Sequence, residues 1–509
     1  MKILSPAISQ LARLRMGRIE YFMQYPLQVQ HQVFQNLLSA AQYTEFGKKY
    51  GFSKIFKVEE FKKNVPIHDY DSMKPYIQRV MEGEQNIIWN TPIKWFAKSS
   101  GTTADKSKFI PISVECLDEC HYRAGRDVFS LYYYNNPDSD LLTGKSLAIG
   151  GSHQINPLSP DSDSFYGDLS AVMLQNMPFY GNLVRTPDLS IALMDEWEAK
   201  IEKMAHAVIR ENVTSIAGVP TWTIVLIKRI FELTNTDNLM DVWPNLELYI
   251  HGGVSFTPYR DQFNKLIRGN NMHYQESYNA SEGFFAAQDV IGEEGLLLFL
   301  NHGIFYEFMP MEEFGKEDPQ TLQLQQVELG KNYALVISTN GGLWRYLVGD
   351  TIQFTSLAPY RIRVSGRTKS FINAFGEEVI VDNSDKAIAK ACERTGAVVN
   401  DYTAAPVYFS GEGNGGHEWI IAFEVPPNDL NVFTETLDKT LQEINSDYEA
   451  KRHKDMALKM PIIHSVGKNT FTEWLKSKGK LGGQHKVPRL NNDRKILEEI
   501  LSFVKQNPQ

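Results

Sequence analysis

Short apolar runs alternate with helical stretches between about residues 90 and 365, and this alternation restricts the fold more than any other feature of the chain. Helical periodicity is clearest over 191–212 and 221–233. Strands that alternate with helices build a largely parallel sheet with helices packed on its faces. The sequence therefore predicts an α/β domain with strands near 146–149, 215–218, 246–250, 295–300 and 334–338.

The chain before and after these runs has a different pattern. Residues 1 to about 80 have apolar side chains at helical spacing, for example from Val29 to Ala41, and are predicted to be mostly helical. Later strand-like runs have no helices between them. They predict an antiparallel sheet or a small β-barrel-like part added to the core, and they cover 304–309, 323–327 and 361–364.

The last part of the chain has the pattern of a separate α+β unit. A strand is predicted over 418–425, a helix capped by Asn428 or Asp429 runs to about residue 450, and another strand follows over 462–466. No linker marks the boundary, which we place after residue 375. This gives a large N-terminal domain over 1–375 and a small C-terminal domain over 376–509.

The net charge limits the partners of the chain. The 509 residues include 52 Lys and Arg against 61 Asp and Glu, for a formal net charge of −9. Nucleic-acid-binding proteins usually have a basic excess, so the composition argues against a nucleic-acid partner. An acidic protein must bind phosphates through local donors such as backbone N–H groups, Lys, Arg and Mg²⁺, because its overall field repels them.

Cysteine content and hydropathy suggest the compartment. Three cysteines, an odd and sparse number, argue against a disulfide framework and favour a reducing, cytoplasmic environment. Cys116 and Cys120 could share a helix face, either as a metal pair or as two buried small apolar residues. No run approaches the roughly 20 apolar residues that span a bilayer. Segment 8–24 predicts either a membrane-surface helix or a helix docked on the protein.

The segment 98–108 is a candidate phosphate-binding loop. Four hydroxyl side chains surround one glycine there, and lysines flank them. Such a loop can offer hydroxyl and backbone donors to a polyphosphate, although its spacing is not that of the Walker loop. Solvated surface loops often have the same composition. The candidate phosphate ligands are Ser99, Ser100, Gly101, Thr102 and Thr103.

Two further segments combine an aromatic residue with a carboxylate. In 278–283, Tyr278 can stack on a base and Glu282 can ligate Mg²⁺. In 344–350, Asp350 follows a glycine and can accept both hydroxyls of a ribose. Read alone, each segment is more typical of ordinary local structure, and an aspartate at a turn usually serves the turn itself.

The order and spacing of these segments resemble the adenylate-forming superfamily of acyl-CoA synthetases, luciferases and peptide-synthetase adenylation domains. The closer resemblance is to the Gretchen Hagen family of acyl-acid amido synthetases, also called auxin-responsive promoter proteins. Its Ser-Ser-Gly-Thr-Ser/Thr, Tyr-x-x-Ser-Glu and Tyr-x-x-Gly-Asp motifs match 99–103, 278–282 and 346–350. Its N-terminal region, nucleotide-side turn and C-terminal signature are similar to 61–70, 243–253 and 483–489. We expect a bacterial-type member with the adenylate-forming fold.

The resemblance implies a role for each matching residue. The hydroxyl residues of the loop would hold the ATP phosphates. Tyr278 would stack on adenine, Glu282 would bind Mg²⁺ and Asp350 would bind the ribose. Arg367 resembles the superfamily's arginine near the interdomain hinge, and we count it with Lys486 and Glu282 as catalytic. The other residues expected at the nucleotide are Gly252, Gly253, Asn279 and Ser281.

Lys486 follows a Gly-rich, basic stretch. Glycines raise backbone freedom, so a mobile loop is predicted, and a mobile lysine on a small domain could reach the α-phosphate as charge develops there. A solvated basic loop is the alternative. The chain also departs from the family, because Ala104 and Asp105 stand where many superfamily members have a further glycine. Asp105 would repel a triphosphate unless it faces away or meets Mg²⁺.

These features predict a ligase that uses ATP and Mg²⁺. A small-molecule carboxylate would attack the α-phosphate and release pyrophosphate, and by the resemblance an amino acid amine would then take the acyl group. The N-terminal domain would bind both substrates, and the C-terminal domain would act as a mobile lid. An acyl pocket is expected near 121–134 and 217–223, where aromatic residues favour a hydrophobic or aryl acid. The alternatives are a CoA or carrier-protein ligase and a non-catalytic nucleotide-binding protein.

Overall fold

The structure is a computed structural model of the chain. It describes residues 5–99, 108–150, 156–158, 163–194, 196–253, 256, 259–269, 272–368, 371–372, 377, 379–408, 415–445, 448–449, 452, 458–480, 486–491 and 493–507.

The α-helices of this structure are α1 Ser5–Gln24, α2 Pro26–Ala41, α3 Glu45–Tyr50, α4 Val58–Asn64, α5 Tyr70–Met81, α6 Tyr122–Asn135, α7 Leu169–Gln175, α8 Phe179–Leu183, α9 Leu189–Ala192, α10 Trp197–Val208, α11 Pro220–Thr234, α12 Leu239–Val242, α13 Arg260–Leu266, α14 Val381–Thr395, α15 Leu430–Ile444, α16 Thr470–Ser477 and α17 Lys495–Gln506. A π-helix, Cys116–His121, directly precedes α6.

The strands are β1 Trp95–Ser99, β2 Lys108–Ile112, β3 Lys145–Ala148, β4 Asn156–Pro157, β5 Phe165–Gly167, β6 Arg185–Thr186, β7 Val213–Ala217, β8 Leu248–Gly252, β9 His273–Ala280, β10 Gly283–Gln288, β11 Leu296–Leu298, β12 Ile304–Pro310, β13 Asn332–Thr339, β14 Tyr346–Leu357, β15 Tyr360–Arg367, β16 Phe371–Ile372, β17 Val379–Ile380, β18 Val398–Tyr408, β19 Gly415–Val425 and β20 Ile462–Gly467.

The chain divides into two compact units. The first comprises Met1–Val348 and Ile352–Arg363, and the second comprises Gly349–Thr351 and Val364–Gln509. The second unit therefore takes three residues from the middle of β14 in addition to the C-terminal part of the chain. The domain boundary after residue 375 stays a prediction.

One large sheet dominates the first unit. Eleven strands of the described residues form it in the order β12-β13-β14-β15-β11-β10-β9-β8-β7-β3-β6. Five neighbouring strands of this sheet, β6, β3, β7, β8 and β9, pair parallel in that order. Along the chain, helix α10 lies between β6 and β7, and helix α11 lies between β7 and β8. The strands β9, β10, β11 and β15 pair antiparallel in that order. The predicted α/β core with an antiparallel addition is thus confirmed.

One predicted strand is wrong. Residues 323–327 were expected to extend the antiparallel part, but Leu324–Gln326 is a 3₁₀ helix. The Gln326 side-chain oxygen accepts a hydrogen bond from the Gln323 backbone N–H at 2.8 Å. Such local side-chain bonds favour a turn over a strand, and apolar periodicity alone does not detect them.

The N-terminal helix α1 docks on the protein. Its buried residues include Ile19 and Phe22, and Arg15 donates to the Asp127 carboxylate on α6 at 3.0 Å. These contacts favour the docked interpretation of segment 8–24. In the part of the chain that the structure describes, no helix has both the length and the apolar character of a membrane span.

Cys116 and Cys120 are both buried on the π-helix. The Phe284 backbone N–H donates to the Cys120 sulfur at 3.2 Å. No group of three or more metal-ligating side chains occurs among the described residues. The two cysteines therefore pack as small apolar side chains.

The second unit contains a three-stranded sheet in the order β18-β19-β20. β18 and β19 pair antiparallel, whereas β19 and β20 pair parallel. Asp429 caps α15 by accepting from the Asn431 backbone N–H at 2.8 Å, as its position in the sequence predicts. Apolar side chains of α14 and α15, such as Ile388 and Leu437, pack with Trp419 of the sheet into one core.

Candidate active site

The candidate phosphate loop connects the two strands of a hairpin. β1 and β2 pair antiparallel, and Ser99 lies opposite Lys108. Ser99 is the last residue of β1. The other predicted phosphate ligands, Ser100, Gly101, Thr102 and Thr103, lie outside the described residues, and so do Ala104 and Asp105.

The segment 278–283 forms a tight hairpin between β9 and β10. Ala280 pairs with Gly283, so Ser281 and Glu282 form a two-residue turn. Both turn residues are buried, with 6% and 7% of their surface exposed. A buried carboxylate costs free energy unless other groups compensate for its charge. The turn therefore holds the Glu282 carboxylate in a largely buried position.

Gly252 and Gly253 each have a geometric reason to be glycine. Gly252 ends β8 opposite Ser277, and a Cβ atom there would lie 2.4 Å from the Ser277 carbonyl oxygen. Gly253 has a φ of +76°, in the left-handed region that favours glycine. A Cβ at Gly252 would also lie 3.4 Å from Oδ1 of Asn279. The predicted residues Gly252 and Asn279 are thus neighbours.

Tyr278, the predicted adenine-stacking residue, is 7% exposed. Its ring centroid lies 4.8 Å from that of Phe285, with the two planes inclined by 49°. One side of the ring is therefore supported by the core. The role of Tyr278 in base stacking stays a prediction.

The segment 344–350 lies beside the N-terminal region that resembles the family. The His68 backbone N–H donates to the Arg345 carbonyl at 2.9 Å, and the Leu347 N–H donates to the His68 carbonyl at 2.8 Å. Burial and then the charge of Glu282 raise the pKa of Tyr346. Backbone hydrogen bonds on either side of Tyr346 therefore join the segment 344–350 to the N-terminal region around His68.

Arg345 holds the segment 344–350 in position, and the sequence motifs did not identify it. It has a φ of +43° and forms an ion pair with Glu307 at 2.9 Å. Its Nη1 donates to the Val65 carbonyl at 2.7 Å, and its backbone N–H donates to Ser338 Oγ at 3.0 Å. An arginine between Trp and Tyr in a buried motif is the sequence feature that could have pointed to it.

Asp350 and Arg367 form an ion pair in the second unit. Nε of Arg367 donates to Oδ1 of Asp350 at 3.0 Å, and half of the Arg367 side chain is exposed while Asp350 is largely buried. The Thr368 N–H donates to the Gly349 carbonyl at 2.9 Å, so the two strands that carry the pair are joined at this point. The structure thus brings the predicted ribose ligand and the predicted hinge arginine together.

Lys486 lies within electrostatic reach of both residues. Its surroundings lower its pKa to about 7, first by shielding the ammonium from water and then through repulsion by Arg489 and Arg367; Asp401 and Asp350 oppose the shift. The residue as a whole remains exposed. Solvent at the exposed residue weakens the shielding, and repulsion by the two arginines still lowers the pKa of Lys486.

The segment expected to line an acyl pocket contains a buried histidine. His121, the last residue of the π-helix, has no exposed surface. Neither ring nitrogen has a hydrogen-bond partner among the described residues, and burial lowers the pKa of His121 to about 4. The imidazole is therefore neutral near pH 7. In the other expected segment, the Gly218 carbonyl accepts from the Tyr249 hydroxyl at 2.9 Å.

Sequence models of one family match most of the chain. The GH3 family N-terminal domain matches residues 15–272, the GH3 family central domain matches 297–367 and the GH3 family C-terminal domain matches 382–495. A curated relative, the indole-3-acetic acid-amido synthetase GH3.3 of Arabidopsis thaliana, is 26% identical over 94% of this chain and 91% of its own.

Solved structures share the fold. The GH3.15 acyl acid amido synthetase superimposes with a TM-score of 0.78 at 19% identity, over 96% of this chain and 95% of that protein. A 2-hydroxyisobutyryl-CoA ligase with a bound adenylate superimposes with a TM-score of 0.56 at 13% identity, over 94% of this chain and 92% of that protein. The predicted fold class is confirmed. The expectation of a bacterial-type member stays a prediction.

Proposed function

The chain belongs to the GH3 family, and on that premise we propose that it joins a carboxylic acid to an amine in two steps that consume ATP. In the first step a carboxylate oxygen attacks the α-phosphorus of ATP, the bond to the bridging oxygen breaks, and pyrophosphate leaves. In the second step the amine nitrogen attacks the acyl carbon, the bond to AMP breaks, and an amide forms.

The observation that carries the proposal is the grouping of Asp350, Arg367 and Lys486 in the second unit. A carboxylate can accept the ribose hydroxyls, and cations beside it can stabilise charge at the α-phosphate. The overall charge of the chain is −9, so such a local group of cations is what an anionic nucleotide needs. We assign the ribose to Asp350 and the α-phosphate to Lys486.

For the motif residues of the first unit, the family resemblance suggests further nucleotide roles. We assign the triphosphate to the loop that follows Ser99 and the adenine to Tyr278. Glu282 is a buried carboxylate in a turn, and we assign Mg²⁺ to it, because this ion usually takes one or two protein carboxylates and completes its octahedron with phosphate oxygens and water. When bound there, Mg²⁺ would neutralise charge on the phosphates.

The acid and the amine are assigned by chemical class. The curated relative is named for indole-3-acetic acid, and the solved relative is named as an acyl acid amido synthetase. The aromatic residues of the segment expected at the acyl pocket, such as Tyr122 and Tyr132, suggest a hydrophobic or aryl acid. We propose an amino acid as the amine.

The test is carboxylate-dependent pyrophosphate release from Mg·ATP, screened over aryl, indole and fatty acids. Each acid is run with no acceptor, with a mixture of amino acids and with CoA, and products are identified by mass spectrometry. An amide with an amino acid is the expected product. A thioester formed only with CoA would establish the CoA ligase instead, and ATP binding without release for any acid would favour a non-catalytic nucleotide-binding protein.

Variants separate the site from the rest of the chain. Asp350→Asn and Glu282→Gln should each lower pyrophosphate release by on the order of 100-fold or more, because each removes an interaction with the reacting nucleotide. Glu312→Gln, an exposed position on a 3₁₀ helix, is the matched control and should keep full activity. Equal activity of the three variants would overturn the assigned roles.

A further inference from the structure

The backbone that follows Lys486 is joined to the open edge of β18. The Ala404 N–H donates to the Arg489 carbonyl at 2.8 Å, and the Asn491 N–H donates to the Ala404 carbonyl at 3.0 Å. Thr403 Oγ1 donates to the Pro488 carbonyl at 2.7 Å. Within this segment, Leu490 forms an isolated parallel bridge with Ala404. The chain is thus fixed within a few residues of Lys486.

The Arg489 side chain fixes the same segment to the core of the second unit. Its Nη1 lies 2.6 and 2.7 Å from the two carboxylate oxygens of Asp385 on α14. Its guanidinium carbon lies 5.2 Å from the ring centroid of Tyr402, and the Tyr402 hydroxyl donates to Asp385 at 2.7 Å. An ion pair with an aromatic face and a shared hydroxyl holds a side chain in one orientation.

The charges that face Lys486 come from its own segment and from three strands. Arg489 belongs to its own segment, Arg367 to β15, Asp350 to β14 and Asp401 to β18. Of the two cations, Arg489 lowers the pKa of Lys486 more strongly. Because Asp385 holds Arg489 in place, the position of this positive charge relative to Lys486 is set by the core of the unit and not by the loop.

We propose that Arg489, held by Asp385 and Tyr402, is a positioning residue for Lys486: it fixes the backbone that carries the lysine and supplies the positive charge that the lysine faces before ATP binds. This proposal rests on the proposed function. Its consequence is that the ammonium is most favoured when the anionic triphosphate is present, since a nearby negative charge stabilises the protonated form. Lys486 would then be protonated while negative charge develops at the α-phosphate.

The first readout is the pH profile of kcat/KM for ATP in the pyrophosphate assay. A lysine that must be protonated gives an alkaline limb that reports its pKa in the free enzyme. Arg489→Gln should move this limb to higher pH, by about half a unit or more, because it removes a repelling cation. Arg489→Lys keeps the charge, so its limb should stay near that of the wild type while kcat falls.

Two further variants test whether the alkaline limb moves for a reason other than the loss of the Arg489 charge. Arg489→Gln alone leaves Asp385 without its cation, so Asp385→Asn/Arg489→Gln keeps the pair neutral and should show the same displaced limb. Arg494→Gln is the matched control, because Arg494 pairs with Glu418 at 2.6 Å in the same unit. Its limb should not move. A uniform loss of activity at every pH, with the limb unmoved in both Arg489→Gln variants, would overturn the proposal.

The second readout does not need activity. Pulse labelling with acetic anhydride across pH, followed by peptide mass spectrometry, measures the ionisation of Lys486 directly. The pH of half-maximal labelling should rise in Arg489→Gln and stay unchanged in Arg494→Gln. If the wild type releases no pyrophosphate with any acid, the proposed function has failed, and the labelling still decides whether Arg489 controls the charge of Lys486.

Discussion

The buried ion pair between Arg345 and Glu307 offers the strictest test of how the motif at 344–350 is held. The two side chains are 5% and 1% exposed. Arg345 Nε lies 3.0 Å from Oε2 of Glu307, and its Nη1 also donates to the carbonyls of Val65 and Lys62 at 2.7 and 3.0 Å. One guanidinium thus joins β12, the start of β14 and the N-terminal region.

The perturbation is Arg345→Met, which keeps much of the side-chain volume and removes the charge. It leaves the buried Glu307 carboxylate without its ion-pair partner, and breaking a buried pair in this way typically costs about 3–5 kcal/mol. For a large domain, at about 2 °C for each kcal/mol, the thermal midpoint should fall by roughly 6–10 °C. Circular dichroism at pH 7 measures the midpoint.

The matched control is an exposed arginine with a similar geometry. Arg79 donates to both oxygens of Glu45 at 2.7 and 2.8 Å, but the two side chains are 36% and 46% exposed. Exposed pairs contribute about 0–1 kcal/mol, so Arg79→Met should lower the midpoint by roughly 2 °C or less. The comparison therefore isolates the contribution of burial.

The double variant Arg345→Met/Glu307→Leu completes the test. If the loss comes from an uncompensated charge, removing the carboxylate as well should recover most of it, because buried pairs can often be replaced by apolar residues at little cost. Equal losses in Arg345→Met and Arg79→Met would refute the reasoning. So would a double variant as unstable as Arg345→Met.

Two further predictions concern single positions. Burial lowers the pKa of His121 from 6.5 to about 4, so between these values the unfolded chain binds a proton that the folded chain does not, and the free energy of unfolding should fall by roughly 3 kcal/mol as pH falls. His121→Leu should remove this dependence in urea titrations at pH 4 to 7, whereas a change at the exposed His206 should not. Gly252→Ala should lower the midpoint and pyrophosphate release together, because its Cβ would meet the Ser277 carbonyl at 2.4 Å. Gly125→Ala, a helical position with open space around it, should be neutral or slightly stabilising.

Apolar periodicity predicted most of the fold, because the buried face of a strand or helix determines which positions are apolar. The predicted strand at 304–309 is β12, and the predicted helix at 221–233 is α11. The strand predicted at 323–327 was wrong because a side-chain hydrogen bond of Gln326 decides that segment. Apolar spacing does not contain this information.

Motif spacing predicted which residues lie near one another only where the chain itself brings them together. The hairpin that holds Ser281 and Glu282 is local, so four residues of sequence define it. The partner of Asp350 is 17 residues away on the next strand. The partner of Arg489 is 104 residues away on α14, and only the packed sheet and helix place it there.

Arg345 and Arg489 have the same structural task in two separate motifs. Each lies within a few residues of a side chain assigned to the nucleotide, Asp350 in one case and Lys486 in the other. Each is held by a carboxylate from a distant part of its own unit, Glu307 at 2.9 Å or Asp385 at 2.6 Å. A planar guanidinium can satisfy a carboxylate and still present further donors or an aromatic face, whereas an ammonium is a point charge on a flexible stem. An arginine at these positions therefore gives a rigid attachment to a segment that must present its neighbour accurately, and lysine would preserve the charge without preserving that attachment.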